Sequence, residues 1–249
     1  MSDAVRKLAE YIRGSDNIVF FGGAGVSTES GVPDFRSKDG LYNRPNVGFE
    51  NYTPEYLLSH DCLTEHPEVF FEFYRQKMDT RNAEPNAAHH FLSDLERIGK
   101  LKAIVTQNID GLHQRAGSIN VFEIHGTTRR NYCSRCGKRY PADYIFTSAE
   151  SIPHCTCGGI VRCDVTLYGE QLPEREVEGA IRAISGADML IIGGTSLTVY
   201  PAASYVRYFR GQHLAIINRD PIGIPLRPDR DIEINDSIGK TFSAVREYL

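Results

Sequence analysis

The sequence predicts an α/β fold: a doubly wound, mostly parallel sheet that carries a helical insertion and a small cysteine-rich module. Three observations predict it. Short continuous apolar runs alternate with amphipathic stretches of helical period, the pattern of strands and helices laid down in turn. Proline near the start and glycine just past the end punctuate those amphipathic stretches. Four of the six cysteines stand between positions 133 and 157, where the alternation is interrupted. The length of 249 residues fits one large domain with an inserted module and is short for two full domains.

Seven runs read as buried strands: 17–21, 103–106, 121–124, 164–168, 188–192, 214–217 and 231–234. Most are continuous rather than alternating, as expected where helices cover both faces of a parallel sheet. Helices are predicted over 2–13, 86–98, 174–185 and 201–210, each closed by a glycine. Residues 37–84 interrupt the alternation with a Gly/Asn/Pro-rich loop (38–51) and two helical patterns, which start at Thr53-Pro54 and at Pro67. On the second, Val69, Phe70, Phe73, Tyr74 and Met78 form one stripe, read as core packing. The predicted division is a Rossmann-like domain from 1–36, 98–125 and 161–249, a helical insertion at 37–97, and the cysteine module at 126–160.

Lys and Arg total 28 against 32 Asp and Glu, a net charge of −4. A general nucleic-acid binder is usually basic, so none is expected. Met1 to Phe21 lacks a basic segment followed by a long apolar core, and no apolar run approaches the roughly 18 residues of a membrane span. The expectation is a cytoplasmic protein without a membrane partner. In such a reducing compartment a cysteine cluster reads as metal ligands before disulfides.

In open α/β sheets ligands bind beyond the carboxyl ends of the strands. Those ends are chemically loaded here: Gly22-Gly23-Ala24-Gly25-Val26-Ser27, Gln107-Asn108-Ile109-Asp110, His125-Gly126, Gly169-Glu170, Gly193-Gly194-Thr195-Ser196 and Asn218-Arg219-Asp220. Any one of them is an ordinary turn composition; six in succession point to one site. Gly23 and Gly25 are expected to let backbone N–H groups approach a pyrophosphate at a helix start. The full dinucleotide fingerprint is absent: Thr28 stands at the third glycine position, and no acid-ended strand follows about 20 residues on.

Cys133 and Cys136, then Cys155 and Cys157, give four thiolates in two pairs, close to structural-zinc spacing. Sulfur at all four positions leaves none for water, so the zinc is expected to be structural. The second pair is C-x-C, tighter than usual, and His154 beside it is an alternative ligand. Cys62 and Cys163 fall outside the pattern.

Taken together, these segments resemble the sirtuins, the NAD-dependent protein lysine deacylases, specifically the short bacterial type. The matching motifs are Gly23-Ala24-Gly25-Val26-Ser27 with Ser30-Gly31-Val32-Pro33-Asp34-Phe35-Arg36; Thr106-Gln107-Asn108-Ile109-Asp110-Gly111-Leu112-His113 with Ala116-Gly117; His125-Gly126; the four cysteines; Tyr168-Gly169-Glu170; Gly194-Thr195-Ser196-Leu197 with Pro201-Ala202-Ala203; and Ile217-Asn218. The resemblance implies a zinc-ribbon module beside a Rossmann-like sheet. It implies that NAD is consumed as a co-substrate: the acyl oxygen attacks the nicotinamide ribose, His125 acts as general base, and the products are nicotinamide, O-acetyl-ADP-ribose and free lysine. It places Asn108 and Asp110 at the ribose and the nicotinamide amide, with Ile109 on the ring and Phe35 shielding the reactive face. Arg36 and Gln107 would contact phosphate or ribose; Ser196, Asn218 and Ile238 would hold the adenosine side. Gly23, Ala24, Gly25, Thr28, Asp34, Gly194 and Thr195 complete the NAD set.

By the same resemblance, an extended acyl-lysine peptide adds a strand between residues 169–172 and 195–199. Two positions depart from the family pattern: Cys163 stands where proline is common and Gly22 where threonine is usual. Members that remove acidic acyl groups carry Tyr-x-x-Arg in the insertion; here Tyr74 and Arg75 are adjacent, which favours neutral acyl groups, acetyl above longer chains. Protein mono-ADP-ribosyl transfer and a non-catalytic NAD-binding module are the alternatives.

Overall fold

The computed structural model describes residues 2–35, 37, 40–43 and 48–249. Its strands are β1 (Ile18–Gly22), β2 (Leu101–Thr106), β3 (Val121–Glu123), β4 (Gly126–Cys133), β5 (Arg139–Tyr140), β6 (Val161–Val165), β7 (Met189–Gly193), β8 (His213–Ile217) and β9 (Asp231–Ile234). Its α-helices are α1 (Ser2–Gly14), α2 (Pro54–Leu57), α3 (His60–Glu65), α4 (Pro67–Lys77), α5 (Ala87–Arg97), α6 (Leu112–Arg115), α7 (Tyr144–Thr147), α8 (Glu174–Gly186) and α9 (Ile238–Arg246).

Six strands form one parallel sheet in the order β3-β2-β1-β7-β8-β9. The apolar runs are continuous because the sheet is buried on both sides. Ile18 and Phe20 of β1, Met189 and Ile191 of β7 and Ala215 and Ile217 of β8 pack towards α1, α5 and α9. Their neighbours Val19, Phe21, Leu190, Ile192, Leu214 and Ile216 pack the other way, against α8 and the 3₁₀ helix Ala202–Tyr208. Each of these side chains contributes roughly 1.5–3 kcal/mol by leaving water. The registers of β1, β2 and β7 bring Gly22 level with Thr106 and Gly193, so the loops that follow start from one edge.

The predicted strand over 164–168 is a correction. The strand is β6, and it pairs antiparallel with β4, from Gly126 opposite Val165 to Cys133 opposite Val161, in a separate sheet of order β5-β4-β6. Val161, Cys163 and Val165 alternate there with Arg162 and Asp164, the period of two of an antiparallel strand, although Arg162 is buried as well. The 201–210 helix is the shorter 3₁₀ turn Ala202–Tyr208. The C-terminal helix α9 had no counterpart among the predicted elements. The helix α5 falls inside the stretch assigned to the insertion, yet its Ala88, Phe91, Leu92 and Leu95 belong to the core of the large sheet.

The insertion has its own core. Phe70, Phe73, Tyr74 and Met78 are buried in it, as the stripe predicts; Phe71 joins them and Val69 is half-buried. Ile145, Cys163 and Leu167 from the cysteine-module side complete that core. Arg75 ties the two together by donating to the carbonyls of Ile145 at 2.8 Å, Glu150 at 2.7 Å and Ser151 at 2.8 Å.

Candidate active site

The loops at the sheet edge enclose a cleft of about 700 Å³. It is lined by Gly23, Ala24, Gly25, Thr28, Asp34, Phe35, Gln107, Asn108, Ile109, His125, Gly194, Thr195, Ser196, Asn218 and Ile238. Asp110 lines an adjoining pocket that shares Ala24, Phe35, Asn108 and Ile109 with the cleft. Arg36 lies outside the described residues.

The first glycine loop differs from expectation in where its donors go. Gly25 N donates to Gly194 O at 2.8 Å and Gly23 N to Gly193 O at 3.3 Å. These N–H groups, expected to face a pyrophosphate, are engaged by the loop after β7. The glycines serve the contact between loops: a Cβ on Gly25 would lie 2.8 Å from Gly194 Cα, and one on Gly194 2.4 Å from Val26 N. Among the described residues the Ala24 N–H, between them, has no hydrogen-bond partner, and Ala24 lines the cleft. Asn86, the N-cap of α5, steadies this loop through Nδ2, which donates to Val26 O at 2.8 Å and to Ser30 Oγ at 3.0 Å.

The second loop carries a directed relay. Leu112 N donates to Asp110 Oδ1 at 2.9 Å, and Ser27 Oγ donates to Asp110 Oδ2 at 2.7 Å. A hydroxyl has one proton, so Ser27 Oγ accepts from Asn108 Nδ2, 3.0 Å away. That direction turns Asn108 Oδ1 away from Ser27. Ser27, Asn108 and Asp110 are all buried. Burial raises the Asp110 carboxyl above its ordinary value, and the Leu112 N–H and the Ser27 hydroxyl pull it back. Gln107 is fixed by its N–H on Gly22 O at 3.0 Å and by Nε2 on Thr195 Oγ1 at 2.9 Å.

His125 sits where the chain leaves the parallel sheet for β4. Gly126 makes that turn with φ of 72°, and a Cβ there would overlap the Asp164 carbonyl. His125 Nδ1 lies 3.0 Å from Gln107 O. A carbonyl only accepts, so Nδ1 carries a proton; in the neutral ring Nε2 then holds the lone pair, the tautomer of a base.

Ser27 stands in the first of the matching motifs, but the resemblance gives it no role. The available signal was a hydroxyl directly after a glycine loop, but its partners lie 81 and 83 residues away.

The four cysteines converge. Sγ of Cys133 is 3.5 Å from that of Cys157, Sγ of Cys136 is 3.6 Å from that of Cys155, and all four atoms lie within 4.8 Å of one another. A tetrahedron with Zn–S bonds of about 2.3 Å sets sulfurs about 3.8 Å apart, so the group fits zinc. His154 stands outside the four-thiolate group, with Nδ1 3.2 Å from Glu150 Oε2.

Sheet order, a cleft at the strand ends and a four-thiolate module together define a doubly wound α/β protein with a nucleotide-type site and a structural metal centre. The Sir2 family model matches residues 23–201. The chain is 53% identical over 244 residues to the NAD-dependent protein deacetylase of Clostridium acetobutylicum, covering 98% of each chain. It is 55% identical to that of Clostridium perfringens, covering 98% of this chain and 99% of the other. A solved Sir2 structure with a p53 peptide and NAD+ superposes with a TM-score of 0.81 at 35% identity, covering 97% and 96% of the two chains. The chain belongs to the Sir2 family.

Proposed function

We propose that the chain is an NAD-dependent protein lysine deacetylase in which His125 is the general base and Asn108 and Asp110 complete the catalytic set. The observation that carries the assignment of roles is the Nδ1 contact of His125 with Gln107 O, beside the Asn108–Ser27–Asp110 relay. NAD supplies the electrophilic ribose carbon and leaves as nicotinamide and O-acetyl-ADP-ribose. His125 Nε2 takes the proton of a ribose hydroxyl. Asp110, where two donors oppose the upward push of burial, accepts from the carboxamide of nicotinamide; Ile109 packs on its ring and Phe35 covers the reactive face. The phosphates face Ala24, with Gly23, Gly25, Thr28, Asp34 and Gln107 around them, and the adenosine side falls to Gly194, Thr195, Ser196, Asn218 and Ile238; Arg36 keeps the phosphate or ribose role that the resemblance gives it. Zinc on Cys133, Cys136, Cys155 and Cys157 holds the module that walls the cleft.

The substrate is an extended acyl-lysine segment of a protein, laid between residues 169–172 and 195–199. The acyl end meets Leu58, Tyr74, Met78, Val165 and Leu167. Arg75 is turned to the module carbonyls and Arg162 is paired with Glu170, so neither offers a cation to an acidic acyl group. This favours acetyl. Nucleic acid is not a direct partner of a chain with this charge. Four cysteines grouped as metal ligands rather than disulfides support a reducing, cytoplasmic compartment.

The test is incubation with NAD and an acetyl-lysine peptide. O-acetyl-ADP-ribose and nicotinamide should form in equal amounts with free peptide. Label from NAD ending on protein, with no deacetylated peptide, would assign ADP-ribosyl transfer instead.

A further inference from the structure

We propose that Arg162 and Glu170 form a positioning clamp that fixes the cleft wall on which the acyl-lysine peptide lies. The inference rests on the deacetylase reading above and concerns how that site holds its substrate. The wall is the end of β6 and the turn after it, of which Val165, Thr166, Leu167, Gly169 and Gln171 line the cleft.

One guanidinium holds both ends of this turn. Arg162 Nη2 donates to Val165 O at 2.8 Å and to Glu170 Oε2 at 3.0 Å, while Nη1 donates to Glu170 Oε1. Glu170 closes the turn on itself: its Oε2 accepts from Leu167 N at 2.9 Å and its N–H donates to Leu167 O at 3.0 Å. On the outer side His60 braces the same carboxylate, with Nδ1 3.1 Å from Glu170 Oε1, and its N–H donates to Tyr168 O at 2.9 Å. Tyr168 N donates in turn to Leu58 O at 3.0 Å. On the inner side Thr166 N donates to His125 O at 2.9 Å, which sets the turn's distance from the proposed base.

The chemistry asks for these residue types. The Arg162 side chain is only 8% exposed. A buried charge of that kind persists only when paired and hydrogen-bonded, and a planar fork meets a carboxylate and a carbonyl together where an ammonium does not. A wall already ordered spares an incoming strand the cost of ordering it. The clamp therefore acts on peptide affinity rather than on proton transfer.

The experiment uses the full chain with zinc bound, in four forms: wild type, Arg162→Lys, Glu170→Gln, and Arg162→Met with Glu170→Leu together. The double variant strands no buried charge, so it keeps the fold in reach if a single variant fails. Readouts are anisotropy of a labelled acetyl-lysine peptide, KM for peptide, KM for NAD, kcat, melting temperature and zinc content. Peptide Kd and KM should rise about tenfold in the double variant, against a change in kcat within about threefold. KM for NAD should move far less than KM for peptide. A folded, zinc-replete double variant that binds peptide like wild type overturns the clamp. If wild type binds peptide yet forms no O-acetyl-ADP-ribose, the deacetylase reading falls and anisotropy still decides the clamp. Wild type that does not bind the peptide overturns both.

Discussion

Two buried polar clusters draw on the stretch 108–113, Asn108 and Asp110 in one and His113 in the other, and they are built on opposite terms. In the first, Asp110, Ser27 and Asn108 are buried and satisfy one another through directed hydrogen bonds. In the second, His89 of α5 and His113 of α6 are buried with ring centroids 4.8 Å apart, and three of their four ring nitrogens have no hydrogen-bond partner among the described residues. The fourth, His89 Nδ1, accepts from Asn86 N at 3.2 Å. Burial pushes His89 down to about 4 and His113 well below the usual imidazole value. The comparison teaches that burial pushes every such group towards its neutral form, and that donors supplied to it oppose that push at Asp110 while nothing opposes it at the histidines.

The two clusters also pull stability in opposite directions with pH. Each histidine binds a proton more readily in the unfolded chain. Its contribution is therefore complete above about pH 6.5 and drains away as pH falls from there towards the lowered folded values. Asp110, raised by burial, behaves in reverse: its cost is present while it is ionised and is relieved as pH falls through its raised value.

The largest test removes the metal. A strong chelator withdraws roughly 10–16 kcal/mol of apparent binding free energy and should unfold the cysteine module. Both clusters stand on the large-sheet side, so hydrogen exchange should show protection retained at residues 104–113; loss of it there would tie the clusters to the module. Next in size, His125→Ala should lower turnover about 10²–10⁴-fold while NAD binding, read by calorimetry, persists. Near-normal turnover would end its role as base. Ser27→Ala should then cost about 1.5–3 kcal/mol in kcat/KM, because a hydrogen bond to a charged group and the orientation of Asn108 are lost together. A variant that loses melting temperature but keeps kcat/KM would move the relay into the structural class with the histidines. The smallest effect belongs to His113→Phe. Melting temperature followed from about pH 7 down to about pH 4 should fall less steeply than in wild type, with turnover at neutral pH kept. An unchanged slope would remove His113 from the acid response.

Much of this was legible in the sequence, and the reasons differ by element. The strands β1, β7 and β8 were readable because burial on both faces makes a run continuous. The cysteine set was readable because ligand spacing is local. The run 164–168 was misread as a strand of the parallel sheet because Val165, Leu167 and Tyr168 follow Asp164 without revealing that β6 ends at Val165. The destinations of the Gly23 and Gly25 N–H groups were hidden, since they depend on how closely a loop about 170 residues further on approaches. The relay through Ser27 was hidden for the same reason, and the resemblance to a family supplied roles for Asn108 and Asp110 but none for the hydroxyl between them.

The clasp between Gly25 and Gly194 has a consequence for how the chain is made. Synthesis runs from the N-terminus, and a domain folds as its parts emerge. The loop after β1 is finished early, yet the carbonyl that holds it belongs to residue 194. Until β7 has left the ribosome, β1 has β2 on one side and an open edge on the other. The cleft floor therefore closes only once β7 has been made, and the chain up to residue 188 emerges with a central strand still waiting for its neighbour.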